Sequence, residues 1–311
     1  MKRFLLVISF VFIFLVSLTS CNKIEYDVVV TNFIGYDAVR AVAQHTDTNI
    51  KMLLKPGNDI HNYEPSATDI KAVLSAKIFV YVGGESDAEW VESDILGNVK
   101  NKDIIIVNMF DVLKDRLLLE DEEDEYDEHV WTNPSNYSLI IKVISDSLIK
   151  IDNINKELYE KNTKSYLDEL DLLDKRMASV INESNNKKIV VADRNPFLYF
   201  SKYYKIEILG ALEGCSSDKN IPSSKLNELI KATEDNNLKA IFIIELSDGK
   251  IASDVKKEVN NDIKSNRYNG NNVEIITLYS MQNISFDSFS SGLTYNEMFK
   301  RNIDNIEYAL S

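Results

Sequence analysis

The chain has 311 residues and a formal net charge of −14 at pH 7, with 44% hydrophobic and 27% charged residues. This balance is typical of folded globular proteins and excludes wholesale disorder. The acidic excess argues against a nucleic acid partner, because phosphate binding needs clustered lysine and arginine. Two cysteines cannot build a disulfide framework, and the three histidines, His45, His61 and His129, limit any histidine-rich metal site.

Residues 1–21 are predicted to form a lipoprotein signal peptide. A short basic start precedes an almost purely apolar stretch, residues 4–16, which is shorter than the roughly 20 residues of a membrane span. Residues 18–21 read Leu-Thr-Ser-Cys and resemble a bacterial lipobox, whose cysteine receives lipid; an ordinary signal with an incidental cysteine is the alternative. We therefore expect an exported protein anchored by lipid on Cys21 to the outer face of the cytoplasmic membrane, at a cell surface or in a periplasm.

Short apolar runs rich in valine and isoleucine alternate with helical patterns in both halves of the chain. The predicted strands are residues 26–31, 49–53, 77–82 and 103–107, then 188–192, 206–209, 240–245 and 273–278. The predicted helices are residues 38–44, 66–74 and 89–96, then 196–203, 223–236, 251–261 and 295–309. This alternation predicts an α/β fold with two lobes, each a parallel four-stranded sheet with flanking helices.

A long polar segment, residues 134–183, separates the two halves and carries apolar residues at helical spacing. Asp152-Asn153 is predicted to divide it into two helices, of which the second, residues 154–184, is far longer than the mean helix. We expect a stiff connector between lobes; a helix within one domain is the alternative. The predicted organisation is an N-terminal lobe at 22–153, a connecting helix at 154–186 and a C-terminal lobe at 187–311.

Two histidines lie in segments that could bind a ligand. His61 lies in a loop after the second predicted strand, between a Pro56-Gly57 turn and a predicted helix cap at Ser66. Loops after the carboxyl ends of parallel strands often hold ligands, although a lone loop histidine is more commonly just exposed. His129 lies immediately before the long helical region.

Eight of the nine residues 120–128, the acidic loop, are carboxylates. They are Glu120, Asp121, Glu122, Glu123, Asp124, Glu125, Asp127 and Glu128. Such a run is usually a solvated loop. Because it precedes His129, an auxiliary role in concentrating or weakly binding cations is a second interpretation.

The two histidine segments resemble the ligand loops of a known family, the solute-binding lipoproteins of zinc/manganese ABC transporters (cluster A-I, or cluster 9). Residues 57–70 resemble its Gly-x-x-x-His-x-Tyr/Phe-Glu-Pro-Ser loop, and residues 127–134 resemble its Pro-His-x-Trp-x-x-Pro loop. Residues 195–204 resemble its helix after the fifth strand, and residues 222–230 its Glu-Pro-Ser segment. The resemblance implies two Rossmann-like lobes joined by a long rigid helix, with a metal cleft between the lobes.

The same resemblance implies the function of a binding protein and not of an enzyme. It implies extracytoplasmic capture of a divalent metal, zinc first and manganese as the alternative, by a monomer that delivers the ion to an ABC permease. A degenerate family member that acts as a surface adhesin or interaction protein is the competing hypothesis. A hydrolase is disfavoured because the sequence has neither a His-Glu-x-x-His nor a Gly-x-Ser-x-Gly motif.

The resemblance implies four protein ligands, two from each lobe, and His61 and His129 match the first two. Arg194 stands at the third position, where a guanidinium cannot ligate a cation. Tyr279 stands at the fourth, where only a phenolate could bind. Glu245, at the end of a predicted strand, is a candidate third ligand; an ion pair with Arg194 is its alternative.

Further residues are candidates to complete the coordination shell of the metal. Cys215 lies on a predicted cleft loop, where a thiolate would suit zinc; a buried small hydrophobe is its alternative. Asp127, Glu128 or water could also contribute. Two imidazoles with a carboxylate and water make a plausible zinc shell, whereas manganese favours more oxygen ligands. Trp131, beside His129, is expected to pack at the lobe interface.

Overall fold

The structure, a computed structural model, describes residues 26–99, 103–120, 125–214 and 220–311. The predicted signal peptide with Cys21 lies outside these ranges, as do Cys215 and residues 121–124 of the acidic loop.

The first sheet confirms the predicted strands of the first half. Its members are β1 (Val28–Val30), β2 (Ile50–Met52), β3 (Ile78–Tyr81) and β4 (Ile105–Asn108), all parallel, in the order β2-β1-β3-β4. The central strands β1 and β3 are completely buried, as their uninterrupted apolar sequences require.

The second sheet repeats this strand order. Its members are β5 (Lys188–Asn195), β6 (Glu207–Glu213), β7 (Ala240–Ile243) and β8 (Glu274–Thr277), parallel, in the order β6-β5-β7-β8. The register of β5 against β6 shifts between Val191 and Arg194. Such irregularities redirect the side chains that follow them, and this one precedes Arg194. The α/β class with two parallel four-stranded sheets is therefore confirmed.

Helices cover the faces of both sheets. Those of the first lobe are α1 (Phe33–Val42), α2 (Ala67–Ser75), α3 (Ala88–Trp90) and α4 (Met109–Val112). Those after β5 are α7 (Leu198–Tyr204), α8 (Ser223–Asp235), α9 (Lys250–Lys264), α10 (Phe286–Ser290) and α11 (Tyr295–Leu310). Helix α1 begins at Phe33 and not at residue 38, because the Asn32 side chain accepts a hydrogen bond from the Gly35 N–H and caps an apolar first turn.

Two long helices lie between the two sheets along the chain, and the second of them corresponds to the predicted connector. Helix α5 (Pro134–Ile151) is followed by a 3₁₀ turn at Asn153–Asn155 and by α6 (Lys156–Glu183), which has 28 residues. The predicted break is confirmed. The Asp152 carboxylate produces it locally by accepting hydrogen bonds from Asn155 Nδ2 at 2.7 Å and from the Tyr159 hydroxyl at 2.9 Å.

One hydrophobic core runs through both lobes and through helices α5 and α6. The same cluster of buried side chains includes Val80 of β3, Ile140 of α5, Met177 of α6 and Phe242 of β7. Among the described helices, none is both long enough and apolar enough to span a membrane. A continuous core of this kind opposes large movements of one lobe against the other.

A buried carboxylate, Asp37 of α1, ties four helices together. It accepts hydrogen bonds from the hydroxyls of Tyr137 on α5 and Tyr166 on α6, and from the backbone N–H of Tyr295 on α11. Arg40 neutralises its charge and also donates to the Leu293 carbonyl at 2.7 Å. This network fixes α1 against α5, α6 and α11.

Candidate metal centre

His61 is held by a short 3₁₀ turn at the carboxyl edge of the first sheet. The turn spans Ile60–Asn62 and is capped by Asp59, whose Oδ1 accepts a hydrogen bond from the His61 N–H at 3.2 Å. Ile60 is buried and anchors the turn. The His61 side chain keeps 15% of its surface exposed, so it lies at the edge of the core, where an ion could reach it.

His129 precedes a 3₁₀ turn at Val130–Thr132 and is almost completely buried. Asp127 Oδ1 accepts a hydrogen bond from its backbone N–H at 2.8 Å and lies 3.3 Å from its Nδ1 atom. A carboxylate beside Nδ1 favours the proton on that nitrogen and places the lone pair on Nε2. Metal-binding histidines commonly donate this N–H to a carboxylate; here Asp127 lies close to Nδ1 without a hydrogen bond to it.

Glu128 brings the two histidine segments together. Its Oε1 atom lies 3.9 Å from His61 Nε2, and its Oε2 atom accepts a hydrogen bond from the Ser86 N–H at 2.9 Å. Gly84 makes this approach possible, because a Cβ atom there would lie 2.4 Å from the Glu128 Cβ. Glu128 is only 2% exposed, so its carboxylate is fixed inside the site and not on a solvated loop.

The sequence prediction missed Gln282, which follows β8 in the second lobe. Its Nε2 atom lies 3.3 Å from His61 Nε2 and donates to Glu128 Oε1 at 2.9 Å. A side-chain amide can present its oxygen in place of its nitrogen by rotating, so Gln282 can offer an oxygen ligand. Its position just after a strand at the carboxyl edge of the sheet was the signal that could have identified it.

Glu245 holds the loop that carries Gln282. Its carboxylate accepts hydrogen bonds from the Ser280 N–H at 2.8 Å, the Ser280 hydroxyl at 2.5 Å and the Asn283 N–H at 3.2 Å. Burial raises the pKa of the Glu245 carboxyl. Within this loop Met281 adopts φ of 61°, a strained conformation for a residue with a side chain. Glu245 therefore acts on the loop backbone as a positioning residue.

Arg194 and Tyr279, which the resemblance suggested as the other two ligand positions, have protein partners. Arg194 Nη2 donates to Asp59 Oδ2 at 2.9 Å, so its carboxylate partner is Asp59 of the other lobe and not Glu245, the partner considered as an alternative. The Tyr279 hydroxyl accepts a hydrogen bond from Arg301 of α11 at 3.3 Å, and the two side chains also form a cation–π contact.

The electrostatics of His61 favour its neutral form. Burial lowers the pKa of its imidazole, and the charges of His129 and Arg194 lower it further, whereas Glu128 and Asp59 raise it. A neutral imidazole is the form that binds metal.

Carboxylates outnumber cations around the two imidazoles. Among the described residues, Asp59 and Glu128 lie by His61 and Asp127 by His129, and the guanidinium of Arg194 lies by Asp59. In the part of the chain that the structure describes, no three His, Cys, Asp or Glu side chains converge closely enough to hold one ion. The excess of carboxylates gives this region the charge that suits a divalent cation.

Trp131 lies between the two lobes. Its indole N–H donates to the Ser280 carbonyl at 2.9 Å, and its own carbonyl accepts from the Tyr295 hydroxyl at 2.8 Å. Its ring meets the His129 ring edge-on, with centroids 5.6 Å apart. Trp131 thereby links the His129 turn to the loop that carries Gln282.

The acidic loop has two parts with different surroundings. Leu119 pairs with Tyr126 in an antiparallel bridge, and the Glu120 N–H donates to the Glu125 carbonyl at 2.9 Å. Glu125 is exposed, whereas Asp127 and Glu128 are buried in the site. Among the described residues of this loop, the exposed Glu125 is therefore separated from the two buried carboxylates beside the histidines.

A two-lobed α/β fold with a polar site between the carboxyl edges of its sheets defines a solute-binding protein. The chain belongs to the family described as zinc-uptake complex component A, periplasmic, which matches residues 28–309. This is a family of substrate-binding proteins of metal ABC importers and not of enzymes.

Three similar proteins illustrate the range of the family. The manganese ABC transporter substrate-binding lipoprotein PsaA of Streptococcus anginosus is 28% identical over 288 residues, 89% of this chain and 91% of the relative. The high-affinity zinc uptake system protein ZnuA of Bacillus subtilis strain 168 is 24% identical over 297 residues, 91% and 87% of the two chains. The structure of the periplasmic zinc-binding protein TroA from Treponema pallidum matches with a TM-score of 0.75 at 25% identity, covering 92% and 99%.

Proposed function

We propose that this protein captures a divalent transition metal outside the cytoplasm, most readily zinc, and delivers it to the permease of an ABC importer. The observation that carries the proposal is the meeting of His61, Glu128 and Gln282 at the lobe boundary. His129 directly follows Glu128 in the chain and is buried beside Asp127. The ligands thus come from three separate segments that only the fold brings together.

Zinc is the preferred cargo and manganese the alternative. Two neutral imidazoles suit zinc, which accepts nitrogen and oxygen ligands in tetrahedral sites. Manganese favours sites dominated by carboxylate and water oxygens. The oxygens of Glu128, with those of Gln282 or Asp59, could support either ion, so the imidazoles decide the order of preference. Relatives named for zinc and for manganese both occur.

A competitive titration tests this proposal. Purified protein is titrated with zinc and, separately, with manganese against a chromophoric chelator, beside a His61→Ala, His129→Ala double variant. His45→Ala is the matched control, because His45 is exposed and has no part in the proposed site. We expect tight one-to-one zinc binding that the double variant loses and the control keeps. Equal affinity in all three proteins would contradict the proposal.

We further propose that the chain is exported and lipid-anchored through Cys21, and that it acts as a monomer. Support comes from the lipobox-like sequence and from relatives named as lipoproteins. Radiolabelled palmitate should label the wild-type protein and not a Cys21→Ala variant; equal labelling would contradict the anchor. The adhesin alternative is not favoured, since both histidines are present in a family of transport proteins.

We also propose the division into a first lobe at 22–153, a connector at 154–186 and a second lobe at 187–311. This division is supported by the strands: all strands of the first sheet precede residue 109, and all strands of the second follow residue 187. The proposed metal lies between them, with the histidines from one lobe and Gln282 from the other.

A further inference from the structure

One ion pair crosses the proposed metal site. Arg194 of β5 donates to Asp59 Oδ2 at 2.9 Å, and the two side chains are 19% and 27% exposed. The other oxygen of Asp59 caps the turn that carries His61. The same carboxylate therefore connects an arginine of the second lobe to the backbone of a proposed ligand in the first.

The backbone of Arg194 is firmly held, so only its side chain is free to move. The register shift in β5 precedes it, and its N–H donates to Asp193 Oδ1 at 2.8 Å. The Asp193 carboxylate in turn accepts a hydrogen bond from the Ser247 hydroxyl. The arginine side chain has several rotatable bonds, so it can leave Asp59 without any change in the strand.

Arg194 and Asp59 act on the same site with opposite signs. The guanidinium brings a positive charge to the carboxylate that caps the His61 turn, and Asp59 itself brings a negative one. A metal cation at His61 would be repelled by the first group and attracted by the second. While the two groups are paired with each other, the carboxylate is engaged and the guanidinium remains near the site.

We propose that the Arg194–Asp59 ion pair is a latch that withholds a metal ligand: metal binding separates the pair, and Asp59 joins His61 as an oxygen ligand. This inference rests on the proposed function. It accounts for the finding that no three His, Cys, Asp or Glu side chains converge on one point among the described residues. The Asp59 carboxylate, which lies next to the His61 turn, is paired with Arg194 instead. Arg194 therefore lowers the affinity of the site, which helps release of the ion to a permease.

A double-mutant cycle tests the latch. The zinc dissociation constant is measured by chelator competition for the purified wild type, Arg194→Gln, Asp59→Asn and the double variant. Arg194→Gln should bind zinc about tenfold more tightly or better, because a competing unit charge is gone. Asp59→Asn should bind more weakly, and the double variant should lose the gain. Arg176→Gln is the matched control, since Arg176 pairs with Asp304 on an exposed surface and its loss should leave zinc affinity unchanged.

Several outcomes would overturn the inference. If the wild type binds zinc and Arg194→Gln binds no more tightly, the ion pair only ties the lobes together. If the gain persists without Asp59, Arg194 acts by repulsion alone and Asp59 is not the ligand. If even the wild type binds no zinc, the proposed function itself fails, and this result differs from one in which zinc binds but Arg194 has no effect. If Arg194→Gln does not fold, Arg194→Met takes its place in the cycle, because methionine keeps an aliphatic side chain at this position.

Discussion

Gln282 and His61 meet across the lobe boundary, with 3.3 Å between their Nε2 atoms. The same amide donates to Glu128, so one residue of the second lobe contacts two candidate ligands of the first. Gln282 therefore closes the site, and its chemistry should influence how tightly the site holds a metal.

Gln282→Glu is expected to tighten zinc binding about tenfold, because a carboxylate is a stronger ligand for a dication than an amide. The same change should destabilise the metal-free protein, since a second carboxylate would lie by Glu128, whose Oε1 is 2.9 Å from the present amide. Chelator competition measures the first effect, and thermal unfolding with and without zinc measures the second.

The control for this prediction is Gln44→Glu, the same change at an exposed side chain just after helix α1. It should alter neither the zinc affinity nor the dependence of the melting temperature on zinc. Looser zinc binding by Gln282→Glu would show that Gln282 holds the loop in place and does not approach the ion.

Glu245→Gln is expected to weaken zinc binding about tenfold without removing a ligand, because a loop displaced by about 1 Å loses much of its function. A glutamine amide would place a donor against the Ser280 and Asn283 donors that now bind the carboxylate. The loop carrying Gln282 would then lose a hydrogen bond.

Cobalt substitution distinguishes this positioning role from ligation. The visible spectrum of bound Co²⁺ reports its coordinating atoms, so it should be the same in the wild type and in Glu245→Gln. A changed spectrum would mean that Glu245 leaves the loop and coordinates the ion.

The stability of the metal-free protein should depend on the titration of His61. Burial lowers the pKa of this imidazole in the folded state, whereas in the unfolded chain it is about 6.5. As the pH falls below about 6.5, the unfolded state binds more protons than the folded state, so the free energy of unfolding decreases. Above this pH the contribution is fully present.

Urea unfolding of the metal-free wild type and of His61→Gln, measured between pH 5 and 8, isolates this effect. Other groups titrate in this range, including the buried Asp87, whose pKa is raised to about 7 by burial. Subtracting the free energy of unfolding of His61→Gln from that of the wild type removes the contribution of the groups that titrate in both proteins. This difference should shrink as the pH falls from about 6.5; a constant difference would contradict the shifted His61 pKa.

Asp37→Asn is expected to lower the free energy of unfolding by about 2–4 kcal/mol, since it breaks a buried ion pair and leaves hydrogen-bond donors unsatisfied. Asp37 is fully buried and serves Arg40 and two tyrosine hydroxyls. Denaturant unfolding gives the value. Asp304→Asn, an exposed partner of Arg176, should cost less than about 1 kcal/mol. Equal effects of the two changes would disprove the special role of Asp37.

The alternation of short Val/Ile runs with helical patterns determined the fold class. Buried parallel strands need continuous apolar sequence, and this local requirement is readable without the structure. All eight predicted strands are present, with bounds that differ mainly at their ends. The start of α1 could not be predicted correctly, because its apolar first turn depends on a single cap at Asn32.

Only part of the candidate site could be predicted from the sequence. His61 and His129 stood out because each lies in a recognisable segment next to predicted elements. Gln282 belongs to no such motif, and the role of Glu245 depends on hydrogen bonds to a loop 35 residues away. The pairing of Arg194 with Asp59 was not foreseen, because the two residues are 135 positions apart in the sequence.

The sequence by itself therefore determined the two-lobed α/β architecture, the two long helices between the sheets and the two histidine segments, all of which follow from local pattern. Only the tertiary structure decided which carboxylates are buried beside the histidines, which residue closes the site from the second lobe, and that an arginine holds Asp59. These features are pairings between groups distant in the chain. Their energies depend on distance and burial, and no local pattern of residues encodes either quantity.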